Sequence, residues 1–137
     1  MKFLLVLLAA SLFAQSADEA QVREVVRKYT DARDHVVNQD AAKTLESLFT
    51  PDADQLVSNG TWRKGREEVV RGSIASSQSE TGKRTITVES VRFLSPTVAL
   101  ADARYELGDR KMWTTLLITR DQSGWRIAAI RNMLPAK

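Results

Sequence analysis

Arg131 is the side chain in this sequence whose position most demands a chemical explanation. By strand alternation it shares a parity with Trp125, Ile127 and Ala129, so its guanidinium is expected to point into the core. An unpaired buried charge is costly, and such an arginine calls for a carboxylate or a bound anion. Asp34, Asp54 and Glu46 are the candidate counter-charges. An internal salt bridge, a side chain snorkelling to the surface and a functional anion site would each meet that need. Tyr29 sits on an apolar helical stripe and brings a phenol that needs one hydrogen-bond partner. His35 is the one histidine and cysteine is absent, so the residue types for a zinc or copper site are lacking. The sequence holds no glycine-rich phosphate loop, dinucleotide fingerprint or nucleophile elbow. No metal and no cofactor is therefore expected. Asn59-Gly60-Thr61 fits the N-glycosylation pattern, although a tight turn accounts for the Asn-Gly pair without it.

The elements that must position these groups are separated by periodicity. Val22, Val25, Val26, Tyr29, Ala32 and Val36 recur at helical spacing. Asn38-Gln39-Asp40 breaks that helix. Asp40 is expected to cap the next one, whose stripe is Ala41, Leu45, Leu48 and Phe49 and which Pro51 ends. Asn59-Gly60 predicts a hairpin with a two-residue turn, which sets Val57 opposite Trp62. A third helix is expected over 66–78, with Val69, Val70 and Ile74 inward, and a polar loop from Ser76 to Gly82. Four strands then follow, over 84–94, 97–107, 110–120 and 125–133. The change of parity between Val88 and Val91 predicts a bulge near Glu89-Ser90. Ala99, Ala101, Ala103 and Tyr105 form an inward face, and Trp113 falls on the outer one, where it suggests a dimer contact. Successive strands with short loops imply one α+β domain whose antiparallel sheet holds the helices on one face.

Residues 1–16 read as a leader for export. Met1-Lys2 is a short basic start, Phe3 to Ala10 is an unbroken apolar run, and cleavage is expected after Ala14 or Ser16. The run is shorter than the roughly 20 residues of a spanning helix. A bacterial-looking protein free of the membrane after cleavage is expected, either periplasmic or secreted. Residues 17–137 then make a single domain. Without cysteine it must stand on its hydrophobic core. The sequence has 20 Lys+Arg and 17 Asp+Glu, of which the leader removes only Lys2. The densest basic run, Arg63-Lys64-Gly65-Arg66, is followed at once by Glu67-Glu68, a mixed pattern that does not suit nucleic acid.

Three segments carry a family resemblance: Leu48-Phe49-Thr50-Pro51-Asp52-Ala53-Asp54, then Gly60-Thr61-Trp62-Arg63-Lys64-Gly65-Arg66-Glu67-Glu68, then Gly124-Trp125-Arg126-Ile127. Together they resemble the nuclear transport factor 2-like superfamily, in particular the small exported members of its SnoaL-like and ketosteroid-isomerase-like branch. The resemblance runs from about Ala20 to Leu134. It implies a cystatin-like cone, in which a curved antiparallel sheet wraps a long N-terminal helix and leaves an apolar pocket at the mouth. It also implies a homodimer paired through the sheet. Its members include isomerases, dehydratases, epoxide hydrolases, polyketide cyclases and non-catalytic association domains, so the fold alone names no activity.

Carried over residue by residue, the resemblance sets Tyr29 where steroid isomerases hold an oxyanion-hole tyrosine. Val57 and Leu116 stand where those enzymes have carboxylates, and a valine cannot abstract a proton. Steroid isomerase activity is therefore not expected. Relatives often have a histidine at the position of Arg131. The pocket implied is lined by Tyr29, Val57, Trp62, Tyr105, Leu116 and Arg131. The function expected is an exported SnoaL-like domain that holds a small apolar or anionic molecule or acts as a dimeric interaction domain. The alternative is an enzyme of the polyketide cyclase, dehydratase or hydrolase kind, using Tyr29, Arg131 and either Asp34 or Asp54.

Overall fold

Helical spacing in the first half of the chain and alternation in the second sort it into two packed layers. The computed structural model describes residues 2–135, with side chains from residue 12 onward. Its helices are α1 (Lys2–Asp34), α2 (Gln39–Leu48) and α3 (Arg66–Ser79). Its strands are β1 (Phe49–Leu56), β2 (Trp62–Lys64), β3 (Arg84–Ser95), β4 (Val98–Leu107), β5 (Arg110–Asp121) and β6 (Gly124–Met133). The strands form one curved, unclosed sheet in the order β2-β1-β6-β5-β4-β3, the α+β arrangement expected. Four pairings are antiparallel, and β1 runs parallel to β6. A long crossover through α3 and four strands separates that pair, where a tight turn would have forced the opposite direction.

The expected leader falls mainly on Met1 and on side chains outside the described residues; the backbone from Lys2 is part of α1. Among the described residues, no helix is long and apolar enough to cross a membrane. Val22, Val25, Val26, Tyr29 and Ala32 bury the inner face of α1 against residues that include Leu45, Phe49, Leu116, Ile118 and Ile130. The fully buried Ala99 and Ala101 on β4 belong to the same core, and their small side chains leave room above the sheet.

Three local expectations shift by a residue or two. Asn38, not Asp40, caps α2: its side-chain oxygen accepts the Asp40 N–H at 3.0 Å. α2 stops at Leu48, and Phe49 opens β1. Pro51 does not end the helix but lies inside β1, in the stretch between Phe49 and Asp54 where the ladder to β6 is interrupted. The hairpin loop has three residues instead of two. Leu56 pairs with Trp62, the Val57 N–H donates to the Thr61 carbonyl at 2.9 Å, and Gly60 takes the left-handed turn position at φ +89°. Val57 therefore does not face Trp62.

Two bulges set the faces of the sheet. β3 shifts register between Val88 and Ser90, at the predicted place. β6 has a second: Leu117 pairs with Ala129 but Ile118 pairs with Ile127, which leaves Ala128 over. Past that point parity reverses. Ile130 and Asn132 turn inward, and Arg131 turns out.

Candidate functional site

The β6 bulge overturns the inward orientation that alternation assigned to Arg131. Arg131 lies beside Leu56 and Thr115 on the outer face, where its Nη1 donates to Asp54 Oδ1 at 2.9 Å. Its guanidinium stands 4.7 Å above the Trp62 ring. Trp62 is 47% exposed, so it covers Arg131 outside and does not line the concave side. Val57 is half-buried in the hairpin loop. Tyr29, Tyr105 and Leu116 are inside and buried, while Asp34, at the end of α1, accepts from Arg84 Nη1 at 2.9 Å. The four candidate catalytic groups are thus divided. Asp54 and Arg131 pair on one side of the sheet, and Tyr29 and Asp34 belong to the other.

The concave side holds a cluster of arginines that the sequence reading missed. Arg33 lies one helical turn beyond Tyr29 and is 4% exposed. Its Nη1 donates to the hydroxyls of Tyr29 and Tyr105, both at 3.2 Å, and its Nε donates to Ser77 Oγ at 3.0 Å. Arg84, the first residue of β3, is 5% exposed. It donates from Nε to Tyr105 Oη at 2.6 Å and from Nη2 to Glu80 Oε2 at 2.8 Å. Arg63 reaches in from β2, donating to Gln55 Oε1 at 3.0 Å and to Ser76 Oγ at 2.7 Å. Arg110 on β5 stands 3.6 Å from Glu80 Oε1.

The charges do not balance. Among the described residues, Glu80 and Asp34 are the carboxylates paired with this cluster, and Glu80 is shared by Arg33 at 3.8 Å, Arg84 and Arg110. Burial opposes the charge on Arg33, but the oxygens of Tyr29, Tyr105 and Glu80 outweigh it and hold its pKa above the ordinary arginine value. Arg63 has no carboxylate partner among the described residues. Burial, reinforced by the like charge of Arg33, lowers its pKa. The hydrogen-bond inventory leans the same way. Guanidinium groups only donate, and the phenol oxygens here accept, so each phenol keeps its own hydrogen for another acceptor. Among the described residues, Ser73 Oγ, fully buried one turn before Ser76 and Ser77, has no partner, and neither has Asn132 Oδ1 on the inward side of β6. The guanidinium groups of the site outnumber its carboxylates.

A signal for these residues existed. Arg33 follows Tyr29 by four, so both share one face of α1. Arg84 shares the parity of Ile86 and Val88 on β3, an inner face. Ser76 and Ser77, which fall in both the expected helix and the expected polar loop, form the last turn of α3, and Glu80, expected in the loop, is its C-cap. A cleft of about 640 Å³ opens at the α1–α2 corner, lined by residues from Asp34 to Asp40. Asp34 links it to Arg84.

The sequence profile of the family described as "Putative lumazine-binding" matches residues 17–130. No functionally curated protein matches the chain. Among solved structures, a domain of unknown function with a cystatin-like fold from Nostoc punctiforme superimposes with a TM-score of 0.73 at 23% identity, covering 88% of this chain and 79% of that one. A nuclear transport factor 2-like protein of unknown function from Silicibacter pomeroyi gives 0.72 at 17% identity over 88% and 98% of the two chains. A protein from Novosphingobium aromaticivorans named "putative scytalone dehydratase" gives 0.70 at 10% identity over 91% and 89%. At such identities the likeness concerns the fold.

Proposed function

Since the chain belongs to the family described as "Putative lumazine-binding", within the nuclear transport factor 2-like fold, we propose that its concave face binds a small, flat molecule rich in acceptor oxygens. The ligand is anionic or carries polarised carbonyls. Arg63 and Arg33 would donate to it, with Tyr29 and Tyr105 supplying their free phenolic hydrogens. The observation that carries this reading is the imbalance of four guanidiniums against two carboxylates. An oxygen-bearing ligand provides the missing acceptors, and charge-assisted hydrogen bonds are the strong ones. Lumazine, the molecule in the family's description, is a planar bicyclic dione that fits this donor set. The enzyme alternative loses support, because Arg131 is paired with Asp54 away from Tyr29.

Titration with lumazine, followed by its own fluorescence, tests the reading. Saturable binding is expected. Arg63→Gln should weaken it about tenfold or more, the scale of one hydrogen bond to a charged group, with little change in Tm because Arg63 is only partly enclosed. Wild-type protein that leaves the fluorescence unchanged, and that carries no small molecule when purified from its host, would show the arginines to be internal bracing only.

Export and self-association complete the proposal. The leader over residues 1–16 would be removed on export, and two copies would pair through the outer face of β5 and β6. Trp113 and Met133, partners across that pairing, are 46% and 55% exposed there.

A further inference from the structure

Resting on the binding reading above, we propose that Gly72 is the positioning residue of the site, kept without a side chain so that Arg63 can lie against α3. Gly72 stands in the middle of a 14-residue helix, where glycine is less favourable than alanine. Its backbone does not require glycine: Gly60, Gly65, Gly82, Gly108 and Gly124 have positive φ, and Gly72 does not. The reason is space. A Cβ added at Gly72 would stand 2.3 Å from Arg63 Nε and 2.6 Å from both Cδ and Cζ. The guanidinium of Arg63 therefore rests directly over the helix backbone.

The rest of the seat is built to match. On the three-residue strand β2, Trp62 and Lys64 are exposed, and only Arg63 turns inward. Its Nη1 is held by Gln55, which is 1% exposed on β1, and its Nη2 by Ser76, four residues beyond Gly72. Both partners are neutral, so the seat fixes the direction of the guanidinium without cancelling its charge. Arg63 is the cluster's one uncompensated cation among the described residues, and Gly72 keeps it aimed beside Arg33.

Alanine at position 72 must displace the far end of a flexible arginine, while the helix itself gains. Stability and binding should therefore move in opposite directions, which a glycine of merely structural importance would not produce. Three readouts on the full mature chain test this: thermal unfolding, lumazine affinity, and the Nε–H resonance of Arg63, assigned by its loss in Arg63→Gln. For Gly72→Ala the expected result is an equal or higher Tm, a shifted and less protected Arg63 Nε–H, and lumazine affinity lowered to about that of Arg63→Gln. The double variant Gly72→Ala/Arg63→Gln should bind no worse than either single one. In an Arg63→Ala background, where the seat is vacant, Gly72→Ala should raise Tm. An unchanged Nε–H resonance, additive losses of affinity, or a Tm that falls in both backgrounds would overturn the proposal. If wild-type protein does not bind lumazine, the binding reading fails, and the resonance and Tm still decide the seat.

Discussion

At Glu80 three guanidiniums share one carboxylate: Arg84 at 2.8 Å, Arg110 at 3.6 Å and Arg33 at 3.8 Å. Arg84 keeps Asp34 if Glu80 is neutralised, but Arg33 keeps only hydroxyl oxygens. Removing one partner of a fully buried ion pair costs about 3–5 kcal/mol. Glu80 is partly open to water, so about 2 kcal/mol is the scale expected for Glu80→Gln, lowering Tm by roughly 5–10 °C in calorimetry. The same change removes the negative charge that competes with a ligand for the guanidiniums, so lumazine should bind more tightly to the less stable variant. A Tm within 1 °C of wild type, on the order of noise for such a substitution, would show that the phenols alone hold Arg33. Arg131 illustrates the opposite case. Its salt bridge with Asp54 is half open to solvent on the outer face, where a pair contributes about 0–1 kcal/mol.

Among the elements, β6 decides what enters the concave side, and one residue decides β6. The elements themselves were legible, because apolar spacing of 3–4 and of 2 differ plainly in this sequence. So was the β3 bulge, since Val88 and Val91 fall on opposite parities. The β6 bulge left the same trace in the step from Ile127 to Ile130, but Ala128 and Ala129 between them carry no parity of their own. Alternation read straight through them assigned Arg131 to the wrong face. The arginine cluster was hidden for a different reason. Arg33 and Arg84 occupy apolar faces at the correct spacing, yet a lone arginine in sequence looks like solvated surface, since burial depends on partners that sequence does not rank. Deleting Ala128 should remove the bulge yet leave Ile130 inward and Arg131 outward, because the ladder already steps from Ile127 to Ala129 without it. A cooperative thermal transition by circular dichroism is the expected result. Loss of that transition would show that the bulge itself, and not only the order of faces it sets, is needed for the fold.

For the whole molecule, the unpaired outer face and the proposed leader make a joint prediction about mass. Native mass spectrometry of protein purified from its host should show two copies, each beginning at Gln15 or Ala17 in the numbering used here. Trp113→Asp should leave the monomer folded and alone, because a charge would lie in the centre of the apolar contact. A monomeric wild-type chain still carrying Met1 would remove both the pairing and the export from the proposal.

The place of β6 in the sheet also governs when this protein can finish folding. The last of the described strands in chain order lies third of six in the sheet, between β5 and the parallel β1. β1 ends at Leu56 and β6 begins at Gly124, so their pairing closes a long loop, and such non-local contacts form slowly. Until the final ten-residue strand leaves the ribosome, β1 has only short β2 beside it and α1 has an incomplete floor. Topology thus leaves the N-terminal half without its central strand until β6 is made. Under the proposed export, a chain threaded across a membrane N-terminus first would stay slack during passage and would close only once β6 arrived on the far side.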